Sequence, residues 1–121
     1  MIEYFKSLGE ENRLRILALL MHGDMCVCEI EESLNMTQSN VSRHLTALKS
    51  CGILESYKKA QWAYYKINDK FKEENQNLWI YIVEKFKMNP NYMIDYEKYQ
   101  KNKQQDICSG KNHQAIINIK E

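Results

Sequence analysis

The sequence of 121 residues lacks an apolar run long enough to cross a membrane, and its first residues lack the apolar stretch of a secretory signal. It also lacks the GxGxxG and P-loop motifs with which many enzymes bind nucleotides. We therefore expect a cytoplasmic protein that has no membrane partner and is not an enzyme. In that compartment its four cysteines are expected to be metal-binding or reactive thiols rather than disulfides.

The chain also lacks a large excess of charge, because its formal net charge is only +1. The charge is unevenly distributed, however. Between positions 36 and 66, five basic residues stand against one acidic residue, Glu55. A local basic segment on a nearly neutral protein is the electrostatic pattern of a nucleic-acid-binding surface. The five basic residues are Arg43, Lys49, Lys58, Lys59 and Lys66.

The segment from 26 to 52 predicts two helices joined by a tight turn. Val27, Ile30 and Leu34 are spaced as one buried face of the first helix. Asn35 follows, and asparagine tolerates the left-handed conformation in which helices often end. Thr37 is suited to cap the next helix, because its hydroxyl can accept a hydrogen bond from a free backbone N–H.

The second helix of this pair has an apolar face and a polar face. Val41, Leu45 and Leu48 are expected to face inward. Short polar side chains that allow close approach to the major groove, and an arginine that can contact a base edge, favour a recognition helix. The alternative is a solvated face without a partner. The outward residues are Ser39, Ser42, Arg43 and Thr46.

After Gly52 the pattern changes to β-branched and aromatic residues at 53–58 and 62–67, which predicts a β-hairpin with a basic tip. The hairpin lysines either contact phosphates or serve solubility alone. A helix pair followed by such a hairpin predicts a mainly α fold with a small β-hairpin, the winged helix-turn-helix. The predicted contacts with double-stranded DNA are Gln38, Ser39, Asn40, Ser42, Arg43, His44, Thr46, Lys49, Lys58, Lys59 and Gln61.

Helices are also predicted at 1–7, at 10–22, from Asn68 to about Lys87, and briefly after Pro90, with 24–25 as a linker. We divide the chain into a DNA-binding and dimerisation domain at 1–88 and a helical extension with a flexible tail at 89–121. The late helix has two apolar faces, which is more than one small core needs, so we expect a homodimer. The predicted interface is Ile2, Phe5, Leu78, Trp79, Ile82, Val83 and Phe86.

The segments LGEENRLRILALL, MCVCEIEESLNMTQSNVSRHLTALKSCGIL and WAYYKI resemble the ArsR/SmtB family of metal-responsive bacterial repressors, in the arsenic-responsive branch. The resemblance runs from about Ile2 to Phe86. It implies a homodimeric repressor that binds operator DNA and dissociates when a metal or metalloid binds. It also implies that the first and last helices form the dimer interface.

The resemblance assigns Cys26 and Cys28 to the inducer site. A helix N-terminus stabilises the thiolate, which is the metal-binding form. On an ideal helix their Cβ atoms lie about 200° apart, so one ion would have to distort the first turn. The third cysteine that is frequent in this branch is replaced by Glu31. We assign Cys108 as the third ligand and expect Cys51 to pack in the core.

Three thiolates favour As(III) or Sb(III) as the inducer. The alternatives are a Cd(II)- or Pb(II)-responsive repressor and a thiol redox-sensing repressor. The late helix has no histidine, which argues against zinc. A thiol-dependent reductase with Cys26 as nucleophile is disfavoured, because no base accompanies the pair in the sequence.

Overall fold

The computed structural model describes residues 1–105, so Cys108 lies outside the described residues. The elements are α1 Ile2–Leu8, α2 Glu11–Leu20, β1 Met25–Cys26, α3 Val27–Leu34, α4 Gln38–Ser50, β2 Leu54–Lys59, β3 Trp62–Ile67, α5 Asp69–Glu74, α6 Gln76–Met88 and α7 Pro90–Gln105. This is the mainly α fold with a small antiparallel sheet that the sequence predicts.

The core is built around α2, as its nearly continuous apolar surface predicts. Ile16, Leu17 and Leu19 are fully buried. The inward face of α4 packs into the same cluster, as do Ile53 and Leu54 at the start of the hairpin. Each such side chain contributes roughly 1.5–3 kcal/mol by leaving water. The orientation of α4 is therefore fixed by its buried face.

The turn between α3 and α4 has the capping that the sequence predicts. Asn35 ends α3 in the left-handed conformation, with φ 56°. The Thr37 hydroxyl accepts a hydrogen bond from the backbone N–H of Asn40 at 3.2 Å. These two residues set the angle at which α4 leaves α3.

The sheet has the strand order β1-β3-β2, with both pairs antiparallel. The hairpin is as predicted, and β1 is an addition where the sequence suggested a linker. In β1, Met25 pairs with Tyr65 and Cys26 pairs with Tyr64. A strand of two residues is too short to show an alternating pattern, which is why the sequence does not reveal it.

The prediction of one helix from Asn68 to about Lys87 is wrong. Asn68 caps a short helix, α5, and the chain breaks at Asn75 before α6 begins. The Asn75 side-chain amide donates to the carbonyl oxygen of Phe71 at 2.9 Å. An asparagine that binds a nearby backbone carbonyl competes with helix continuation.

The final helix is longer than predicted. Pro90 ends α6 but also begins α7, in which it occupies the first position. Proline is favoured there because its fixed φ suits a helix and its missing N–H would have no partner. Helix α7 is 16 residues long and packs against α2, α3 and α6.

Candidate DNA-binding surface and thiol site

The outward face of α4 is exposed as predicted. Val41, Leu45 and Leu48 are buried, so the helix turns its opposite side to solvent. An exposed stripe of hydroxyls, amides and one arginine has the side chains that read base edges in the major groove. The exposed predicted residues of this helix are Gln38, Ser39, Asn40, Ser42, Arg43, Thr46 and Lys49.

The hairpin places its predicted contacts at one tip. Lys58, Lys59 and Gln61 are all exposed around the turn, where Ala60 adopts a φ of 59°. The Tyr57 hydroxyl donates to Asp24 Oδ2 at 2.7 Å, and this hydrogen bond raises the pKa of Tyr57 to about 12. This hydrogen bond thus connects the hairpin of β2 and β3, which we call the wing, to the segment that leads into Cys26.

His44 does not belong to this surface, and its assignment as a DNA contact is corrected. It is only 1% exposed, and its Nδ1 accepts a hydrogen bond from Arg13 Nε at 3.1 Å. Its spacing of three from Val41 and four from Leu48 places it on the buried face. This spacing alone could have predicted that His44 is buried, but a polar side chain is usually expected on the exposed face.

Burial lowers the pKa of His44 below its ordinary 6.5, and the Arg43 and Arg13 charges act in the same direction against Glu10. Below pH 6.5 the unfolded chain therefore takes up a proton that the folded chain does not. We expect the contribution of His44 to the free energy of unfolding to be constant above pH 6.5. Below pH 6.5 this contribution should decrease as the pH decreases. Thermal melts between pH 5 and pH 7.5 measure this.

The matched variant for this titration is His44→Asn, whose side-chain oxygen can take the place of Nδ1 as an acceptor for Arg13. It should be less stable at every pH, because it leaves a cavity. Its loss of stability between pH 6.5 and pH 5 should nevertheless be smaller than that of the wild type. An equal loss in both proteins would contradict a neutral buried His44.

Cys26 occupies two elements at once, because it ends β1 and caps the N-terminus of α3. It is 7% exposed, and its backbone N–H donates to Glu29 Oε1 at 3.0 Å. Burial raises the pKa of the Cys26 thiol, although the backbone N–H groups of Glu29 and Cys28 oppose this in part. The expectation that the helix N-terminus favours the thiolate is therefore outweighed by burial.

Cys28 is half-buried in the first turn of α3 and is disulfide-bonded in the structure, which corrects the expectation that all four cysteines are thiols. An ion can therefore bind Cys28 only after this bond is reduced. Cys51 is half-buried elsewhere, where its thiol contacts Ser7 Oγ at 3.3 Å, in line with the expected packing role. Within residues 1–105, no three cysteine, histidine or acidic side chains are grouped closely enough to hold a metal ion.

Helix α7 runs alongside the helix-turn-helix and ends beside the first turn of α3. Near its start, Asp95 accepts two hydrogen bonds from Arg15, at 3.0 and 3.1 Å. The same guanidinium donates to the carbonyl oxygen of Leu34 at 3.2 Å, at the end of α3. In its last turns, Lys103 Nζ lies 3.6 Å from Glu29 Oε2. The helix therefore connects both ends of α3.

The predicted dimer residues are divided between surface and core. Ile2 and Phe5 are 62% and 54% exposed, and Leu78, Trp79 and Val83 are half-buried. Ile82 and Phe86 are buried within their own chain, which corrects their assignment to the interface.

The exposed apolar surface of α6 belongs to Ile80 and Tyr81, which are both more than half exposed and are not among the predicted interface residues. The two apolar faces of α6 look alike in the sequence. Packing of Phe86 on Tyr92 of α7, with ring centres 4.8 Å apart, decides which of them turns inward.

In the part of the chain that the structure describes, no helix is both long enough and apolar enough to span a membrane. A capped helix pair, an exposed polar recognition helix and a basic hairpin define the winged helix-turn-helix class. Residues 10–56 match the family model for bacterial regulatory proteins of the arsR family. The chain belongs to the ArsR family.

Relatives support this membership. An uncharacterised helix-turn-helix transcriptional regulator of Methanocaldococcus jannaschii is 44% identical over 73 residues, which are 59% of this chain and 82% of the relative. An arsenic resistance transcriptional regulator of Pseudomonas putida is 43% identical over 54% of this chain and 58% of its own length. A cadmium resistance regulatory protein of Listeria innocua is 39% identical over 54% and 56%. The match thus spans little more than half the length of the two resistance regulators.

Among solved structures, a homodimeric winged helix-turn-helix domain from Mycobacterium bovis, described as a possible ArsR-family regulator, superposes with a TM-score of 0.60. It is 29% identical, and the match covers 69% of this chain and 77% of that chain.

Proposed function

We propose that this protein is a homodimeric transcriptional repressor that binds operator DNA through α4 and the hairpin. It releases the DNA when As(III) or Sb(III) binds the thiolates of Cys26, Cys28 and Cys108. The observation that carries the proposal is the position of Cys26, which belongs to the sheet of the wing and also caps the helix that supports α4.

This position gives ion binding a route to both DNA-contacting elements. On an ideal helix the side chains of Cys26 and Cys28 diverge, so an ion that binds both must reshape the first turn of α3. Movement of α3 is passed to α4 through the Asn35 turn. Movement of Cys26 is passed to the wing through its pairing with Tyr64. The hydrogen bond from Tyr57 to Asp24 joins the wing to the same segment.

The course of α7 supports a third ligand from the same subunit. Lys103 lies beside Glu29, and Cys108 follows Gln105 by three residues. Three extended residues span about 10 Å. The described end of α7 thus lies beside the helix that carries Cys28, so only a short loop would have to close to complete the site, and a short loop costs little entropy.

The choice of ion rests on chemistry and on relatives. Trivalent arsenic and antimony are soft and are satisfied by three thiolates without nitrogen or oxygen ligands. One resistance regulator similar to this chain is named for arsenic and another for cadmium. The alternative is a Cd(II)- or Pb(II)-responsive repressor, because the same thiolates could also bind these ions.

The test is release of operator DNA from the reduced full-length protein. A palindromic operator would be selected from random duplexes, and fluorescence anisotropy would follow its release by arsenite, antimonite, Cd(II), Pb(II) and Zn(II) in turn. We expect arsenite and antimonite to act at the lowest concentrations and zinc to have no effect. Release by Cd(II) or Pb(II) alone would replace the proposed inducer. Release by an oxidant alone would identify a redox sensor.

Disrupting the apolar surface of α1 should separate the subunits. We expect Phe5→Asp to shift sedimentation at micromolar concentration from dimer to monomer and to weaken operator binding, because only one half-site is then held. The control is Ile94→Asp on α7, since Ile94 is 57% exposed and lies outside the proposed interface. A Phe5→Asp variant that remains a dimer would contradict the proposed interface.

A further inference from the structure

We propose that Arg15 on α2 and Asp95 on α7 are positioning residues for DNA binding, because together they hold the end of α3 from which the chain turns into α4. The inference rests on the proposed function, since it concerns the binding of operator DNA through α4. Neither side chain is proposed to contact DNA. Helix α7 thereby becomes part of the support of the DNA-binding surface.

The Arg15 guanidinium is held in one orientation by its neighbours. Its Nε donates to Asp95 Oδ2 at 3.1 Å, and its Nη2 donates to Asp95 Oδ1 at 3.0 Å. Its Nη1 donates to Asn12 Oδ1 at 3.3 Å. Asp95 is only 6% exposed, and its hydrogen bonds raise the pKa of Arg15, so the guanidinium stays charged. A planar group that is bound along one edge by a carboxylate has a fixed direction for its other hydrogen bonds.

That direction leads to the end of α3. Arg15 Nη2 also donates to the carbonyl oxygen of Leu34 at 3.2 Å. Leu34 is the last residue of α3, and the carbonyl groups in the last turn of a helix lack a following turn that could donate to them. A positive charge is also favoured at this end by the helix dipole. Arg15 therefore restrains the peptide group between Leu34 and Asn35.

This peptide group lies where the direction of α4 is set. Asn35 is in the left-handed conformation, and α4 begins three residues later at Gln38. Rotation about the Leu34–Asn35 peptide would tilt α4 relative to the hairpin, although both must contact the DNA together. Base-edge hydrogen bonds depend steeply on geometry, whereas the attraction of lysines to phosphates does so much less. Loss of the restraint should therefore reduce sequence discrimination more than general DNA binding.

The first test is Asp95→Ala in the full-length, ion-free protein. We expect its discrimination between the selected operator and scrambled DNA to fall about twofold to thirtyfold, the range for residues that affect a site without contacting its ligand. The salt dependence of binding should stay that of the wild type, because no phosphate-contacting lysine has been removed. The melting temperature should also fall, since Arg15 loses its counter-charge. The control for this loss of stability is Ile82→Val, a change in a buried side chain of α6 that should lower the melting temperature and keep discrimination.

The second test is the double variant Arg15→Met/Asp95→Leu, which replaces the ion pair by two apolar side chains. Such replacements often retain stability, because no charge is left buried without a partner. We expect the melting temperature to recover while the loss of discrimination persists, because methionine cannot donate to the Leu34 carbonyl. Recovery of discrimination in the double variant, or wild-type discrimination in Asp95→Ala, would show that the pair only stabilises the fold and would overturn the inference. If no operator can be selected with the wild-type protein, the proposed function itself fails.

Discussion

Replacing Cys28 by serine is expected to leave operator binding intact and to abolish release by arsenite. Cys28 lies in the first turn of α3 and not on α4, so its replacement removes a proposed ligand without removing a proposed DNA contact. The same result is expected for Cys26→Ser, since serine is also a good helix N-cap. Anisotropy with labelled operator, with and without arsenite, measures both properties in one experiment.

Cys51→Ser is the control for this prediction, because Cys51 contacts Ser7 of α1 rather than the thiol pair. It should retain release by arsenite. Cys108→Ser should respond at an intermediate arsenite concentration, because it keeps both cysteines at the start of α3, where an ion is expected to reshape the first turn. If Cys28→Ser is released as readily as the wild type, the inducer does not bind at the start of α3.

Replacing Arg43 by alanine is expected to cost about 1–3 kcal/mol of discrimination between operator and scrambled DNA. Arg43 is exposed on the outward face of α4, and its planar guanidinium can bind a guanine edge through two hydrogen bonds. Arg43→Lys keeps the charge but not the two parallel bonds, so it should lose nearly as much discrimination. Competition titrations with the two DNA duplexes measure the loss.

Lys58→Ala provides the contrasting case at the tip of the hairpin. It should weaken binding to both duplexes alike and flatten the slope of log K against log salt by about 0.9 for one lost phosphate contact. If Arg43→Ala shows this pattern instead, with unchanged discrimination, then Arg43 contacts only the DNA backbone.

The parts of the fold that the sequence predicts are those with a repeated local signal. In α4 the spacing of Val41, Leu45 and Leu48 identifies the buried face, and the exposed face follows from it. Asn35 and Thr37 end and begin helices through local hydrogen bonds, so their roles can be read from residue type. Each of these features depends on neighbours within one helical turn.

The parts that the sequence does not predict depend on contacts between distant segments. His44 has the spacing of the buried face, but its polarity suggests a DNA contact, and only the folded chain shows its hydrogen bond to Arg13. Ile82 and Phe86 turn inward because α7 packs against α6, and no local pattern shows this. The break at Asn75 depends on one side-chain hydrogen bond to Phe71.

The thiol site has one feature that the local sequence predicts and others that depend on contacts between distant segments. The Cys26 and Cys28 pair is evident in the sequence, because two cysteines at the start of a helix are a local feature. Its link to the wing is not, because β1 is defined only by its pairing with β3. The approach of α7 to α3 includes the contact between Lys103 and Glu29, which are far apart in the sequence.

The most direct measurement is the number of sulfur atoms around bound arsenic in the reduced protein, by X-ray absorption. We predict three sulfurs in the wild type and two in Cys108→Ser, with the remaining position taken by oxygen. Three sulfurs in Cys108→Ser together with full sensitivity to arsenite would contradict the assignment of Cys108. The third thiol would then come from Cys51 or from solution.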